Sequence, residues 1–250
     1  MIVMQGSSAH ELYRDTLRYI LEEGNTVDVR GYRTKEVLDF ATVITQPWHH
    51  CHFVPGRRWN PWTAMSEALW ILAGRNDIAP LLPYNKRITE FSDNGIDLWG
   101  AYGLRIRDQI APLIRRLEED PNDRRAILQI WRVNDLNAKT KDPPCNDMVM
   151  FKIRDDKLHM TVINRSNDRP WGLYAVNIPT FGILQDWLAA GRRVALVSWP
   201  SFHSISTSKP PRARRPFTEP VGQAFGSAGR RLISPSCDCS SISQTPAVMP

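Results

Sequence analysis

A chain of 250 residues with 42% apolar and 23% charged content is long enough to bury a substantial core and fits one enzyme-sized globular domain. No run approaches the roughly 18 apolar residues of a spanning helix, and MIVMQGSSAHELYRD has no basic segment leading into an apolar stretch, so a cytoplasmic protein without membrane partner is expected. The formal charge is +6, but residues 204–250 carry +4 of it; the nearly balanced body favours a small anionic substrate over nucleic acid, leaving RNA a weakly supported partner of the tail.

In chain order, Ser7 and Ser8 precede a helical stripe of Leu12, Leu17, Ile20 and Leu21 that Gly24 can stop. VLDFATVI alternates as a strand, and AMSEALWILAG reads as a second helix ending at Gly74. Residues 76–103 are polar and glycine-bearing, mostly loop with short helical pieces. IRDQIAPLIRRLEED then has helical spacing, and DPNDRR turns the chain into a strand, AILQIWRV. MVMFKIR and KLHMTVI flank Asp155-Asp156 as the arms of a β-hairpin, and Pro179 stands in the first turn of a helix that Gly191 closes. Beyond Trp199-Pro200 the chain turns to Pro, Ser, Gly and Arg without period, which predicts a body of residues 1–203 and a disordered basic tail of 204–250. The body is expected to be an α+β protein, a mixed sheet packed with helices.

Four cysteines at 51, 145, 237 and 239 form no repeated CxxC pair, which argues against a disulfide scaffold and a structural zinc. The cluster His49 to His52 contains metal-ligand types, but neighbours on a strand alternate faces and converge poorly on one ion, so no metal is expected. Cys145, in DPPCND, would by itself more often be a packed thiol than a nucleophile. The hairpin changes its prospects: folded back, it returns Arg165 of INRSND to the thiol, where a cation favours thiolate. NRSND adds a hydroxyl and a carboxylate, and WGLYAVN ends in Asn177, a set able to hold a phosphorylated, hydrogen-bonding heterocycle.

PPC at 143–145, RSND at 165–168, GLYAVN at 172–177, DRR at 123–125, LWGAYG at 98–103 and SEALWILAG at 66–74 together resemble the thymidylate synthase family, including its deoxycytidylate hydroxymethylase branch, from about Leu12 to His203. The resemblance implies a thymidylate synthase-like fold whose sheet face forms a homodimer interface, with methylenetetrahydrofolate as co-substrate. It implies that Cys145 adds to C6 of the pyrimidine of a nucleoside monophosphate, making C5 a nucleophile. Glu67 would order water and assist proton transfers, and Tyr102 would help remove the C5 proton. Arg165, Ser166 and Arg30 would hold the phosphate with Arg124 and Arg125 of a partner subunit, His203 would contact the ribose, and Asp168 would sit beside the folate. Asn177 would accept from N3 of uracil and donate to O4, favouring dUMP over a cytosine nucleotide.

The chain departs from the family pattern at Asn146, where His usually follows the nucleophile, and at Asn164, where Gln precedes the arginine. Both are polar replacements that change the water network around O4 or the thiol without abolishing binding, and both are compatible with the hydroxymethylase side of the family. SFHSIS keeps His203 but has Ile205 at the family's tyrosine position, and the sequence beyond reads as a shifted frame, so a truncated member is expected. The leading expectation is methylation of dUMP to dTMP. Hydroxymethylation of dCMP, CMP or dUMP is the alternative, and a catalytically impaired nucleotide- or RNA-binding remnant is the rival of another class.

Overall fold

The computed structural model describes residues 1–192, 195–196 and 199–207, with side chains through Gly191. Strand β1 (Ile2–Gly6) leads into helix α1 (Ala9–Glu23), then β2 (Asn25–Val29) and the long β3 (Tyr32–Ile44). Helices α2 (Pro61–Leu72) and α3 (Tyr102–Glu119) follow, then β4 (Ile127–Gln129), β5 (Asn146–Arg154), β6 (Lys157–Asp168), a π-helix (Arg169–Asn177), α4 (Ile178–Arg192), β7 (Ala195–Leu196) and β8 (Trp199–Thr207). The strands form one mixed sheet in the order β1-β3-β8-β6-β5-β4, with β2 added beside β3 and β7 beside β6. The expected α+β architecture is observed.

Local chemistry explains the element boundaries. Ser8 accepts from the Glu11 amide at 3.2 Å while the Glu11 carboxylate reaches back to the Ser7 amide at 2.7 Å, which satisfies donors that open α1. Asn60 caps α2 ahead of Pro61, whose missing N–H costs nothing at that position. Asp155 and Asp156 both take positive φ in the tight turn joining β5 to β6, as expected of a two-residue hairpin loop. Arg30 and Gly31 do the same between β2 and β3.

Three differences from the sequence expectations have physical causes. AILQIWRV is a strand only over Ile127–Gln129, because the chain then turns into a short 3-10 helix (Val133–Leu136) organised around the buried Asp135. β1 is too short to announce itself, and it pairs in parallel with residues 40–44, far away in sequence. The sheet also takes in residues 204–207 through β8, which pairs with both β3 and β6, whereas composition places those residues with the tail. The remainder of that tail lies outside the described residues.

The core fills the space between the helices and one face of the sheet. Ile20, Phe40, Ile44, Ile71, Ile106, Leu117, Leu128, Phe151 and Phe181 are all essentially inaccessible. Along β5 and β6, buried Val149, Phe151 and Val162 alternate with half-exposed Met148, Met150 and Ile163, so the second face of the sheet carries an apolar group beside Lys152, His159 and Thr161 that this chain's described residues leave partly exposed.

Strand irregularities line up across the sheet. Register shifts occur on β3 between Val37 and Phe40, between β6 and β8 at Asn164/Asn167, and between β5 and β6 at Asn146/Met148. Such bulges bend strands and redirect side chains. Here they flank Cys145 at the head of β5 and bracket Arg165 and Ser166 on β6.

Candidate active site

The β5–β6 hairpin brings Arg165 back to Cys145. The Arg165 amide donates to the Cys145 carbonyl at 3.1 Å, and its Nη2 stands 4.0 Å from the thiol Sγ. Nε donates to the Pro144 carbonyl at 2.7 Å and Nη2 to the Pro143 carbonyl at 3.3 Å, so the two prolines serve as acceptors that aim the guanidinium. The guanidinium also lies 5.4 Å from the ring centroid of Trp131. Prolines cannot donate amide hydrogens, and here their carbonyls face an arginine.

The cation does not by itself yield a thiolate. Burial pushes the Cys145 thiol above its ordinary range, and the carboxylates of Asp142, Asp147 and Asp168 add to that, outweighing Arg165. The sequence expectation counted the arginine and missed the carboxylates.

Glu67 and Tyr102 join the same cluster. Burial, aided by the negative charge of Asp142, raises Glu67 to about 7. Tyr102, the first residue of α3, receives a backbone hydrogen bond from Cys145, and its acidity is weakened by burial and by the charges of Cys145, Asp142 and Glu67. Its ring stacks on Phe181 at 6.2 Å between centroids. Asp142 itself is raised to about 6, principally by burial. A surface cavity of about 400 Å³ lined by Trp62, Met65, Leu69 and Tyr84 lies largely on the opposite face of α2 from Glu67 and takes no part in this cluster.

Asn146 and Asn164, the two departures from the family pattern, are cross-strand partners in the β5–β6 register, and Asn164 is in turn aligned with the backbone of His203 on β8. The Asn146 side chain is fully buried with neither amide end hydrogen-bonded. The His203 side chain lies outside the described residues.

Downstream, Ser166 is half-buried beside Arg165. Asp168 accepts from the Trp171 amide at 2.8 Å and so caps the π-helix. That helix, with its wider turn, accommodates the aperiodic run RPWGLYAVN and delivers Asn177 to the interior, where Nδ2 donates to Oδ1 of Asn167 at 3.2 Å. Gly172 is required by closeness: a Cβ there would stand 2.7 Å from Asn167 Oδ1.

The other expected phosphate ligands are placed apart. The antiparallel β3 puts the β2–β3 hairpin at the same end of the sheet as Arg165 and Asp168, but exposed Arg30 at its tip projects about 20 Å beyond the Glu36–Asp168 level, from the strand rise. Arg124 and Arg125 are exposed at the opposite end of the β4–β5 pair, about 23 Å along the strand from Cys145. Arg125 is engaged there by Asp123 at 2.8 Å. Neither arginine reaches the thiol of the same chain. Of the histidine cluster, His52 is buried between Tyr13 and Trp59, ring centroids 4.9 and 4.8 Å away, while His50 faces Pro47 and Asp186.

Sequence reasoning missed three contributors. Asp142 stood inside the motif that drew attention, yet its electrostatic reach depends on the 97–103 loop folding against it. Asn167 was hidden between two expected ligands. Arg105, one turn into α3 from Tyr102, pairs with Asp135 at 2.5 and 2.9 Å and donates to the carbonyls of Trp99 and Ile130, binding the loop that carries Gly100 and Tyr102 to the strand exit before Cys145.

A thiol beside a guanidinium, two carboxyls of weakened acidity and a phenol define a site for covalent nucleophilic addition accompanied by proton transfer. The chain belongs to the thymidylate synthase family, whose model matches residues 11–197. It is 34% identical over 216 residues to the deoxyuridylate hydroxymethyltransferase of Bacillus phage SP01, covering 80% of this chain and 56% of that one. It is 39% identical over 156 residues to the enzyme of the same name from Pseudomonas phage M6, covering 60% and 44%. A protein of Methanosarcina mazei named "Putative thymidylate synthase" is 27% identical over 194 residues, covering 75% and 80%. The chain spans about half the length of the phage relatives it matches.

Proposed function

We propose that the chain transfers a one-carbon unit to C5 of dUMP through a covalent bond between Cys145 and C6, and that the unit stays on C5 of the product as a hydroxymethyl group. The observation that carries this reading is the approach of Arg165 Nη2 to within 4.0 Å of Cys145 Sγ, in a cluster with Glu67 and Tyr102. Attack at C6 turns the ring into an enolate with carbanion character at C5. Because burial holds the thiol protonated in the free protein, the attack requires a proton acceptor or an added cationic influence when the nucleotide binds.

Arg165 and Ser166 take the phosphate and His203 serves the ribose, while Arg30, about 20 Å beyond the level of Asp168, stands outside this set. Asn177 reads uracil, held in its amide orientation by Asn167. Glu67, raised to about 7, is protonated in part at neutrality and so can donate toward O4 or relay through water, while Tyr102 assists loss of the C5 proton. The one-carbon donor is methylenetetrahydrofolate, for which the Asp168 carboxylate and the half-exposed ring of the adjacent Trp171 offer an acceptor and an apolar face. A homodimer completes the site: the uncovered face of Met148, Met150 and Ile163 supplies the contact, and Arg124 and Arg125 cross to the partner's phosphate.

Methylation, the outcome first expected from the resemblance, shares every step up to the exocyclic methylene at C5 and is the second reading; the name of the Methanosarcina relative favours it. The names of the two phage relatives and the polar pair Asn146–Asn164 favour water as the final nucleophile. The test is tritium release from C5-labelled dUMP with methylenetetrahydrofolate, followed by the mass of the product, which differs by one oxygen between the outcomes. Cys145→Ala should abolish release; release that survives the substitution overturns the covalent mechanism.

A further inference from the structure

Asp142 is placed as no structural requirement demands. It precedes the nucleophile by one turn of loop, and its Oδ2 accepts from the Gly100 amide at 2.8 Å. The backbones approach so closely that a Cβ on Gly100 would lie 2.5 Å from the Asp142 carbonyl and 3.0 Å from Oδ2, so glycine is needed for this contact. The loop is fixed from behind: Asp93 accepts from Thr140 Oγ1 at 2.5 Å and from the Lys141 amide at 3.0 Å, while Thr140 Oγ1 accepts from the Asp142 amide at 3.1 Å. Among the described residues only Gly100 donates to the carboxyl, which leaves Oδ1 as an acceptor. Asparagine would satisfy Gly100 equally well without placing a second acid beside Glu67. The surroundings of Asp142 comprise Glu67, Tyr102 and Cys145, on all of which its charge acts, together with Arg105 and Asp93, whose charges act on it. A buried carboxylate fixed among three reacting groups, and not neutralised by a contacting cation, is a base awaiting a proton.

We propose that Asp142 is the general base that takes a proton from the water attacking the exocyclic methylene, with Glu67 as its proton-bearing neighbour, and so directs the reaction to the hydroxymethyl product. The proposal rests on the hydroxymethylation reading above. The water oxygen bonds to the methylene carbon, its proton passes to Asp142 Oδ1, and the electron pair of the C5–methylene double bond moves into the ring as an enolate. The enolate then reforms C5=C6 and expels the Cys145 thiolate, which regains the proton from Asp142 through solvent. Water alone is consumed, with no oxidant or reductant.

The experiment is a single turnover of the full chain with C5-tritiated dUMP and methylenetetrahydrofolate, following tritium release and product mass in parallel in water enriched in oxygen-18. The natural chain should release tritium and form hydroxymethyl product carrying the heavy oxygen. Asp142→Asn should release tritium within a few-fold of the natural rate but form hydroxymethyl product at least about 100-fold more slowly, the usual range for loss of a general base. Equal slowing of both signals would overturn the proposal by making Asp142 a positioning residue. Tritium release by the natural chain with a methyl product would overturn it together with the hydroxymethylation reading, and no release would overturn the transferase reading itself, so the three failures are distinguishable. Should Asp142→Asn not fold, the natural chain still decides. The rate of product formation after tritium release should fall about tenfold per pH unit on the acid side, and a flat profile from pH 5 to 8 would sink the idea.

Discussion

Replacing Asp135 by Asn tests the frame that holds the site. The side chain is 1% exposed and its Arg105 partner 5%, and the carboxylate also accepts from Trp99 Nε1 at 2.8 Å and the Arg132 amide at 2.7 Å. Burial opposes its ionisation, but the hydrogen bonds from Arg105, Arg132 and Trp99 prevail and hold it at about 2, against an ordinary 3.8. A carboxyl depressed by that much stabilises the native state by about 2–3 kcal/mol above its unfolded value, a contribution lost as pH falls through the window from about 4 to 2. Asn keeps the shape and one acceptor but leaves the buried guanidinium without a counter-charge, for which the general cost is about 3–5 kcal/mol. The expected loss is therefore about 3 kcal/mol at pH 7. Urea unfolding followed by tryptophan fluorescence should show it as a midpoint lowered by about 1–1.5 M, for a slope of about 2–3 kcal/mol per molar. Arg105→Met added to Asp135→Asn should recover most of the loss, because it removes the stranded charge. A single-variant loss below about 1 kcal/mol, or a double variant no better than the single, would refute this account of the clamp.

The raised carboxyls make further claims. Asp142 and Glu67 favour the protonated native state, so the penalty of ionising them is absent below about 4 and fully present above about 7; Asp142→Asn should gain up to about 3 kcal/mol over the natural chain at pH 8 and nothing at pH 4, by urea unfolding. If one of the pair must be ionised and the other protonated, kcat/KM should be bell-shaped with apparent values near 6 and 7 that belong to the pair, and Glu67→Gln should remove the alkaline limb. Mixing inactive Cys145→Ala chains with inactive Arg125→Ala chains should restore activity through hybrid dimers that hold one intact site; no recovery would place Arg125 outside the site. Asn177→Asp should shift preference toward dCMP by about 10²-fold or more, read as the ratio of kcat/KM values, since a carboxylate accepts from the cytosine amino group.

The parts legible in the sequence were those with short-range causes. The β5–β6 hairpin follows from two alternating arms about an Asp-Asp turn, and once its arms are paired the apposition of Cys145 and Arg165 is arithmetic. Helices α1, α2 and α3 follow from apolar period, supported in α1 and α2 by caps. What stayed hidden depends on distant pairing. β1 has its partner beyond α1 and β2; β8 is a strand because it fills a gap between β3 and β6; and the π-helix absorbs a run with no helical or strand period. Likewise the acidity of Asp142 and Glu67 is a property of two segments 75 residues apart in numbering being buried together, which no local pattern encodes.

The polar departures from the family pattern become one feature once the register is known. Asn146 and Asn164 face each other across β5 and β6 in the row that continues to His203, so a change on one strand has its counterpart on the next. A fully buried amide with both ends unbonded costs about 1–3 kcal/mol per group, and native structures keep such a group where ordered water or a ligand completes it. Asn146 adjoins the nucleophile in sequence and lies at the bulge that redirects the strand. A fold selected for stability alone would place an apolar residue there. An amide at that point, beside Cys145 in sequence and with no partner for either end, is a polar group that an ordered water or a ligand would complete, which favours the presence of water there over its exclusion.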